Sequence, residues 1–348
     1  MIVSIDRVRA SAITAALPAA RLEMASLADE HGALEIRRIV ESTGIRAVRV
    51  AGDLSTGDLC EAAARHLLAA TDVRKESIDA VVVVTQTPDD FMPGAAVGLQ
   101  ARLGLSEECL AFDIDYGCSG YVYGLLQASM LVRAGCRSVL LCTGDVTTKL
   151  LKPGDRHVQM VFGDAASASL IEAGDGRIDF ACRTDGSGAG HLRTPLDYAN
   201  SSHGSAQVGH LHMSGNEVMN FALTRVPPLI DQLLAHCGID KTALDLVALH
   251  QANQFMLRYL RKIMKLSEAQ TPIGLSEVGN TGPSSIPLLL AGGHGLAGRA
   301  RKESLLCGFG IGLSLAAARL DLSATRLIAP VNVAAPLVPD RLAAQVSV

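Results

Sequence analysis

Cys118 lies where a cysteine can act as a nucleophile. The preceding residues, Leu110–Ile114, predict a short buried strand, and Asp115-Tyr116-Gly117 predicts a tight turn. Ser119 to Ala134 then predicts a helix that ends at Gly135. The apolar face of this helix would carry Val122, Leu125, Leu126, Ser129 and Met130.

A cysteine at the start of a buried helix lies near unpaired backbone N–H groups and the positive end of the helix dipole. Both favour the thiolate over the thiol, and the thiolate is the nucleophile. The alternative is a small core cysteine, which is what we expect of the other seven cysteines. Two distant segments, His250-Gln251-Ala252-Asn253 and Gly279-Asn280-Thr281, favour the catalytic interpretation of Cys118.

A cysteine with a distant histidine and asparagine fits nucleophilic acyl transfer in two arrangements. In a papain-like arrangement the histidine deprotonates the cysteine and the asparagine orients the histidine, but the papain-type sequence around Cys118 is missing. In the second arrangement the cysteine accepts an acyl group from a thioester. The histidine and asparagine donate hydrogen bonds to the carbonyl of a malonyl thioester, which becomes an enolate when CO2 is lost.

The composition excludes several other classes of protein. The chain has 348 residues, of which 49% are hydrophobic, and it suits a packed α/β enzyme with two domains or one duplicated core. A formal charge of −4 without a basic run argues against nucleic-acid binding. The eight cysteines form no C-x-x-C pair, so we expect neither a zinc site nor a disulfide framework. No metal ion and no bound cofactor are expected.

Two regions bear on the cellular location. Asp6, Arg7 and Arg9 precede any apolar run, so the N-terminal segment does not resemble a signal peptide. The longest uncharged stretch, Val278 to Gly298, contains two prolines and six glycines and would make a poor membrane span. We expect a soluble cytoplasmic protein.

The chain repeats itself at an offset of 165 or 166 residues. The matching segments are Ile78–Val82 with Leu244–Ala248, Gly117–Ser119 with Gly282–Ser284, and Leu140–Cys142 with Leu305–Cys307. Apolar strands are predicted at Val81–Thr85, Leu110–Ile114, Val139–Thr143, Leu246–Leu249 and Ser304–Cys307. Continuous apolar runs separated by helices indicate sheets that are buried on both faces.

This repeat predicts two pseudo-symmetric, βαβ-rich halves that pack around one site. Residues 1–175 would supply Cys118, and residues 176–322 would supply His250 and Asn280. Residues 323–348 contain three prolines and lack periodicity. They predict an appended tail that wraps the surface or contacts a partner.

Seven segments together resemble the β-ketoacyl-acyl-carrier-protein synthase III family. They are Thr43-Gly44-Ile45, Gly117-Cys118-Ser119-Gly120, Phe162-Gly163-Asp164-Ala165, Ser214-Gly215-Asn216-Glu217-Val218, His250-Gln251-Ala252-Asn253, Gly279-Asn280-Thr281 and Gly308-Phe309-Gly310-Ile311-Gly312. The resemblance extends from the N-terminus to about Leu322. It implies a thiolase-like α/β fold in a layered αβαβα architecture, a homodimer, and thioesters of coenzyme A or phosphopantetheine as substrates.

The same resemblance implies the roles of individual residues. Cys118 would be acylated, and His250 and Asn280 would assist decarboxylation. The backbone N–H groups of Cys118 and Gly310 would form the oxyanion hole. Substrate binding is expected of Met92, Arg156, Phe309 and Asn253. Among these, Met92 aligns with a position that crosses the dimer interface and bounds the acyl pocket, and Arg156 aligns with an arginine that contacts coenzyme A.

The chain departs from the family pattern at its cofactor and carrier contacts. It has no tryptophan to stack on adenine, and Ser42 replaces an arginine. Asn220 and Phe255 replace basic residues that dock an acidic carrier protein. The basic residues that remain nearby are Arg258, Arg261, Lys262 and Lys265. These differences predict a specialised enzyme of secondary metabolism that prefers a dedicated carrier protein or coenzyme A thioesters.

The predicted reaction is a decarboxylative Claisen condensation that yields a β-ketoacyl thioester. Two alternatives keep the fold and change the reaction: acyl transfer to an alcohol or amine, and head-to-head condensation of two acyl thioesters. A third alternative is a non-catalytic partner subunit. The presence of both His250 and Asn280 favours decarboxylation, because simple acyl transfer does not require two donors to an enolate.

Overall fold

The computed structural model describes residues 1–197, 207–293, 296 and 298–334. Its strands are β1 (Ile2–Pro18), β2 (Arg21–Glu23), β3 (Ala47–Arg49), β4 (Ile78–Val84), β5 (Leu110–Ile114), β6 (Ser138–Asp145), β7 (Ala165–Thr184), β8 (Leu192–Arg193), β9 (Leu196–Asp197), β10 (Gln207–Val208), β11 (His212–Met213), β12 (Leu246–Leu249), β13 (Ser304–Gly310), β14 (Ser314–Leu320), β15 (Arg326–Leu327) and β16 (Val331–Val333). Its helices are α1 (Ala28–His31), α2 (Ala33–Thr43), α3 (Thr56–Ala70), α4 (Ala95–Leu103), α5 (Gly120–Ala134), α6 (Arg156–Gln159), α7 (Gly215–Cys237), α8 (Gln254–Met264) and α9 (Ser285–Ala291).

One mixed sheet organises the fold. Its strand order is β12-β13-β14-β7-β6-β4-β5, and β1 pairs with β7, β15 and β16. The central strand β7 is antiparallel to β1, to β6 and to β14. Through β7, the strands β4, β5 and β6 from the first part of the chain and the strands β12, β13 and β14 from the second part belong to one sheet.

The strand pairings repeat on the two sides of β7. On one side β4 is parallel to β6, and β6 is antiparallel to β7. On the other side β12 is parallel to β13, and β13 is antiparallel to β14. The boundary predicted after residue 175 falls within β7, and the division of the chain at that point stays a prediction.

Small residues let helix α5 lie directly against the sheet. A Cβ atom at Gly120 would lie 2.6 Å from a methyl carbon of Val84, and one at Gly124 would lie 2.7 Å from a methyl carbon of Leu141. Such distances are far shorter than a carbon–carbon contact, so a side chain at either position would push the helix away. The glycines thereby fix the position of Cys118, which immediately precedes this helix.

The predicted strands are present, with some differences in extent. The strands at Leu110–Ile114 and Leu246–Leu249 have the predicted bounds, whereas β4 begins at Ile78, three residues before the prediction. The prediction that Leu110–Ile114 is buried is wrong, because the Leu110 and Phe112 side chains are exposed. Helix α4 packs on the other face of β5, where Asp113 accepts from the N–H groups of Ala95 and Ala96.

Helix α5 differs from its prediction in two details. It begins at Gly120, with Ser119 as the N-cap residue, and it ends before Gly135 as predicted. Met130 does not belong to the buried face, since its side chain is 51% exposed. The rest of the predicted face, from Val122 to Ser129, is buried.

The C-terminal segment is tied to the first strand as far as it is described. Both β15 and β16 run parallel to β1, with Ala12 opposite Arg326 and Ala16 opposite Val331. The rest of the predicted tail, residues 335–348, lies outside the described residues. Among the described helices, none combines the length and the apolar character needed to cross a bilayer.

Candidate active site

Cys118 lies in the turn between β5 and α5. It is 8% exposed, and the turn is closed by the Gly120 N–H, which donates to the Gly117 carbonyl over 2.7 Å. All eight cysteines are free, so the Cys118 thiol is available for chemistry.

Burial, with a smaller contribution from the nearby Asp145 carboxyl, raises the pKa of the Cys118 thiol to about 11. Backbone N–H groups of Ile311 and of Cys118 itself donate to the sulfur and oppose this rise. Loss of hydration outweighs these donors, so the resting thiol is protonated at neutral pH. The prediction that the helix start favours the thiolate in the resting chain is therefore wrong.

The glycine-containing segment at 308–312 lies against the nucleophile. A Cβ atom at Gly310 would lie 2.8 Å from the Cys118 sulfur, and one at Gly308 would lie 2.6 Å from the Ser119 Cα. Gly310 also has a φ of +151°, which side chains rarely adopt. The segment thus brings backbone N–H groups close to the reacting sulfur.

The segment contributes to the surroundings of the sulfur through two residues. The Ile311 N–H lowers the pKa of Cys118, and Gly310 supplies the close approach to the sulfur. Sequence reasoning missed Ile311 because the direction of a backbone N–H depends on loop dihedral angles. The oxyanion role that the resemblance implies for the Gly310 N–H concerns a substrate oxygen and stays a prediction.

His250 directly follows β12 and is almost fully buried. The backbone N–H of His250 donates to the Cys307 carbonyl over 2.8 Å. The imidazole ring lies edge-on to the Phe309 ring, with 5.6 Å between ring centroids. Burial lowers the pKa of His250 to about 3, so the imidazole is neutral at physiological pH.

A hydrogen bond from Ser285 sets the tautomer of His250. The Ser285 hydroxyl oxygen lies 2.7 Å from Nδ1 of His250, and it accepts a longer bond from the Gln251 N–H, 3.4 Å away. Among the hydrogen bonds of the described residues, Nδ1 is the one acceptor for the Ser285 hydroxyl proton, so we assign the hydroxyl as the donor to Nδ1 and the ring proton to Nε2. His250 then offers an Nε2–H donor. Sequence reasoning missed Ser285, which lies 35 residues downstream of His250.

Asn280 is held by its backbone and oriented by its side chain. The backbone N–H donates to the Val161 carbonyl over 2.8 Å, and the carbonyl accepts from the Gly163 N–H over 3.0 Å. The side-chain Oδ1 accepts from the Gly282 N–H over 3.1 Å. Because Oδ1 is engaged, the Nδ2 group remains as a donor.

The structure brings the segments of these three residues together. Phe309 contacts the His250 ring while its neighbour Gly310 lies against Cys118. The segment after Asn280 reaches the start of α5, where a Cβ atom at Gly120 would lie 3.3 Å from Pro283. The segments that carry the cysteine, the neutral imidazole and the amide thus adjoin one another, as acyl transfer with enolate stabilisation would require.

A cavity of about 740 Å³ opens beside Cys118. Its apolar lining includes Phe162, Leu192, Leu211 and Ile311, and its polar lining includes Gln86, Asp115 and Asp145. The volume lies within the usual range of small-molecule sites. An acyl group on Cys118 would extend into this cavity.

The four residues predicted to bind substrate lie outside the lining of this cavity. Met92 is 78% exposed, although its neighbour Phe91 lines the cavity. Arg156 is paired with Glu35 over 3.7 Å. Phe309 is buried against His250.

Asn253, the last of the four, caps helix α8. Its Oδ1 accepts from the Met256 N–H over 2.8 Å, the usual arrangement at a helix N-terminus. Across the described part of the chain, no group of three or more His, Cys, Asp or Glu side chains is arranged to hold a metal ion.

Comparison with protein families matches two parts of the chain. Residues 112–186 match 3-oxoacyl-[acyl-carrier-protein (ACP)] synthase III, and residues 234–322 match the C-terminal part of the same family. The chain is 37% identical over 297 residues to the β-ketoacyl-[acyl-carrier-protein] synthase III of Gloeobacter violaceus, covering 79% of this chain and 87% of that protein.

Solved structures show the same fold. A 3-oxoacyl-(acyl-carrier protein) synthase from Burkholderia xenovorans LB400 superposes with a TM-score of 0.88 at 32% identity, covering 96% of this chain and 99% of that one. The priming β-ketosynthase of the R1128 polyketide biosynthetic pathway superposes with a TM-score of 0.81 at 26% identity, covering 91% of this chain and 96% of that one. The thiolase-like α/β fold implied by the resemblance is confirmed.

Proposed function

The chain belongs to the 3-oxoacyl-[acyl-carrier-protein] synthase III family of condensing enzymes, and we propose that it joins an acyl thioester to a malonyl-type thioester with loss of CO2. The observation that carries this proposal is the orientation of His250 and Asn280. Ser285 and Gly282 engage Nδ1 and Oδ1, so that Nε2–H and Nδ2–H remain as a pair of neutral donors.

The first half-reaction acylates Cys118. Its sulfur attacks the carbonyl of the acyl thioester, and the backbone N–H groups of Cys118 and Gly310, the pair that the family resemblance implies, stabilise the oxyanion that forms. The carbon–sulfur bond to the leaving thiol then breaks. The proton lost by Cys118 ends on that thiol, so the step needs no strongly basic residue, in keeping with the neutral and weakly basic His250.

The second half-reaction consumes the malonyl thioester. Its carbonyl oxygen accepts hydrogen bonds from His250 and Asn280, and loss of CO2 converts the carbonyl to an enolate. The enolate carbon attacks the acyl-cysteine carbonyl, a carbon–carbon bond forms, and the Cys118 thiolate leaves. A proton from solvent restores the thiol, and the product is a β-ketoacyl thioester.

This arrangement favours decarboxylation over the alternative reactions. Acyl transfer to an alcohol or amine requires a base near Cys118, but the pKa of His250 is lowered to about 3 and its Nδ1 is engaged by Ser285. Two neutral donors instead match the charge that develops on a malonyl carbonyl oxygen.

A homodimer is part of the proposal. The Leu110 and Phe112 side chains of the edge strand β5 are exposed. The Met92 side chain, which comes earlier in the chain, is also largely exposed. Pairing of two β5 edges would bury these apolar side chains and satisfy the unpaired edge. It would also bring Met92 of one subunit toward the cavity of the other, as the family resemblance implies.

Helix α8, where the family resemblance places contacts to a carrier protein, supports a specialised role. On α8, Phe255 and Tyr259 are exposed and their ring centroids lie 4.9 Å apart, so an aromatic pair stands where the family resemblance places a cation. Arg261 is paired with Glu268, which reduces the cationic character further. We therefore propose coenzyme A thioesters or a dedicated carrier as substrates, in a specialised pathway.

Steady-state kinetics test this preference. We expect kcat/KM for malonyl-CoA to exceed that for malonyl on the general fatty-acid carrier protein of the cell. A strong preference for the general carrier that weakens steeply with added salt would contradict it, because salt screens electrostatic docking.

Intact-protein mass spectrometry with acyl-CoAs tests the nucleophile. Cys118→Ala should form no acyl adduct and no condensation product. A variant that keeps Cys118 and replaces the other seven cysteines should retain the adduct if it folds. An adduct that persists in Cys118→Ala would contradict the assignment.

A further inference from the structure

Three polar side chains form a connected cluster in the wall of the Cys118 cavity. Gln86, Asp115 and Asp145, here called the polar cluster, all line this cavity. The Gln86 backbone N–H donates to Asp145 Oδ1 over 2.8 Å, and the Gln86 side-chain Nε2 donates to Asp115 Oδ1 over 3.0 Å. Gln86 therefore bridges the two carboxyl groups.

The cluster lies directly beside the nucleophile. A Cβ atom at Gly117, the residue before Cys118, would lie 2.4 Å from Oε1 of Gln86. Any other residue at position 117 would displace the Gln86 amide, so the glycine makes room for it. The amide and Cys118 thus line the same cavity.

The hydrogen bonds of Asp145 converge on one of its two oxygens. Its Oδ1 accepts from the Gln86 N–H and from the hydroxyl groups of Thr85 and Thr87. Asp145 is 4% exposed and lines the cavity, and burial raises its pKa to about 7. A carboxyl group that lines a cavity and uses one oxygen in this way can accept a hydrogen bond from a ligand on the other.

The other charged groups of the cavity are already engaged. Asp113 accepts from the N–H groups of Ala95 and Ala96, and Asp89 is paired with Arg102. Among the described residues that line the cavity, the one cation is Lys149, whose Nζ donates to the Leu54 carbonyl. The polar cluster is therefore the part of the wall that can receive a hydrogen-bond donor.

We propose that the acyl group accepted by Cys118 carries a hydrogen-bond-donating substituent, a hydroxyl or an ammonium group, that binds Gln86, Asp115 and Asp145. This inference rests on the proposed function. A plain alkyl chain would cover these polar atoms without pairing them, and sites built around such atoms discriminate strongly against analogues that lack the polar group. The apolar wall at Leu192 and Leu211 would hold the remainder of the chain.

Acylation rates of the full-length protein test the inference, with the adduct measured by intact-protein mass spectrometry. One pair of probes is 3-hydroxybutyryl-CoA and butyryl-CoA, and the other is β-alanyl-CoA and propionyl-CoA. We expect the substituted member of at least one pair to react at least about tenfold faster. The pair that shows the preference identifies the substituent as hydroxyl or ammonium. Equal or faster reaction of the plain member in both pairs would overturn the inference.

Two variants locate the preference in the cluster. Gln86→Met removes the amide at nearly constant length, and Asp115→Asn removes a charge at an exposed position that is tolerant of substitution. Each should move the rate ratio of the preferred pair toward one, while the control Asp90→Asn, an exposed aspartate outside the cavity lining, should keep the wild-type ratio.

The outcomes separate this inference from the proposed function. An unchanged ratio in both Gln86→Met and Asp115→Asn would overturn the role of the polar cluster, even if the wild-type protein showed a preference. Acylation of Cys118 without any preference would contradict the substrate class alone. Failure of every thioester to acylate Cys118 would contradict the proposed function and this inference with it.

Discussion

The Nδ1 atom of His250 lies 2.7 Å from the hydroxyl oxygen of Ser285, and this contact decides which ring nitrogen carries the proton. The imidazole is buried and neutral, so only one of its nitrogens can donate. With the Ser285 hydroxyl assigned as the donor to Nδ1, the ring proton lies on Nε2. Ser285 then positions the donor that the proposed enolate requires.

Removal of this contact should slow condensation more than acylation. Ser285→Ala should lower kcat for condensation about fivefold, because a hydrogen bond of this kind contributes about 1 kcal/mol. Acylation of Cys118 should be unchanged, and Ser285→Cys, with its weak S–H donor, should be intermediate. Ser26→Ala, an exposed serine, is the control. Equal losses in acylation and condensation would indicate a general structural defect.

A methyl group at Gly310 should block the nucleophile. In Gly310→Ala the new Cβ would lie 2.8 Å from the Cys118 sulfur at a φ of +151°. We expect loss of acyl-enzyme formation together with a lower Tm, since the backbone conformation is unfavourable for alanine. Gly190→Ala, which has nothing within 4 Å of its Cβ position, should match the wild type in both measurements. Wild-type acylation by Gly310→Ala would contradict the close approach.

Alkylation of Cys118 should accelerate with pH far into the alkaline range. A pKa raised to about 11 leaves little thiolate at neutral pH, and the thiolate fraction then increases about tenfold per pH unit until the pKa is approached. The rate of carbamidomethylation by iodoacetamide, followed on the Cys118 peptide, should rise with this slope from pH 7 to 10. A plateau before pH 8.5 would show that the thiolate is already formed in the resting site.

Met92 should influence acyl preference through the dimer. Its side chain is exposed in the single chain, and methionine adapts to irregular space. We expect Met92→Ala to extend, and Met92→Phe to shorten, the range of acyl-CoAs that react, as measured by competition between acetyl-CoA and longer thioesters. Val97→Ala, at another exposed apolar position, serves as the control. Unchanged acyl preference in both Met92 variants would exclude this role.

The sequence predicts the strands better than their exposure. The bounds of Leu110–Ile114 and Leu246–Leu249 follow from short apolar runs that end at polar residues or turns. Whether such a run is buried depends on what packs against it, which the run itself does not encode. Both β5 and β12 are terminal strands of the sheet order, yet Leu110 is exposed whereas all four side chains of β12 are buried.

The site is predicted in part for a similar reason. Motifs identify Cys118, His250 and Asn280 because their chemistry depends on side-chain type. Ile311 and Ser285 act through a backbone N–H and a hydroxyl, so their contribution depends on geometry that residue type does not reveal. The polar cluster likewise becomes visible only when Gln86 and Asp115, 29 residues apart, meet at one cavity.

The most direct measurement of the central claim is a single-turnover chase of the acyl-enzyme. Protein acylated at Cys118 with an isotope-labelled acyl group is mixed with malonyl-CoA, and loss of the adduct, CO2 and product are followed together. The account predicts one CO2 and one labelled β-ketoacyl thioester per adduct lost, with the chase slowed by about 10²–10³ in His250→Ala and in Asn280→Ala while both variants still acylate. Normal chase rates in both variants, or loss of the adduct without CO2, would contradict decarboxylative condensation.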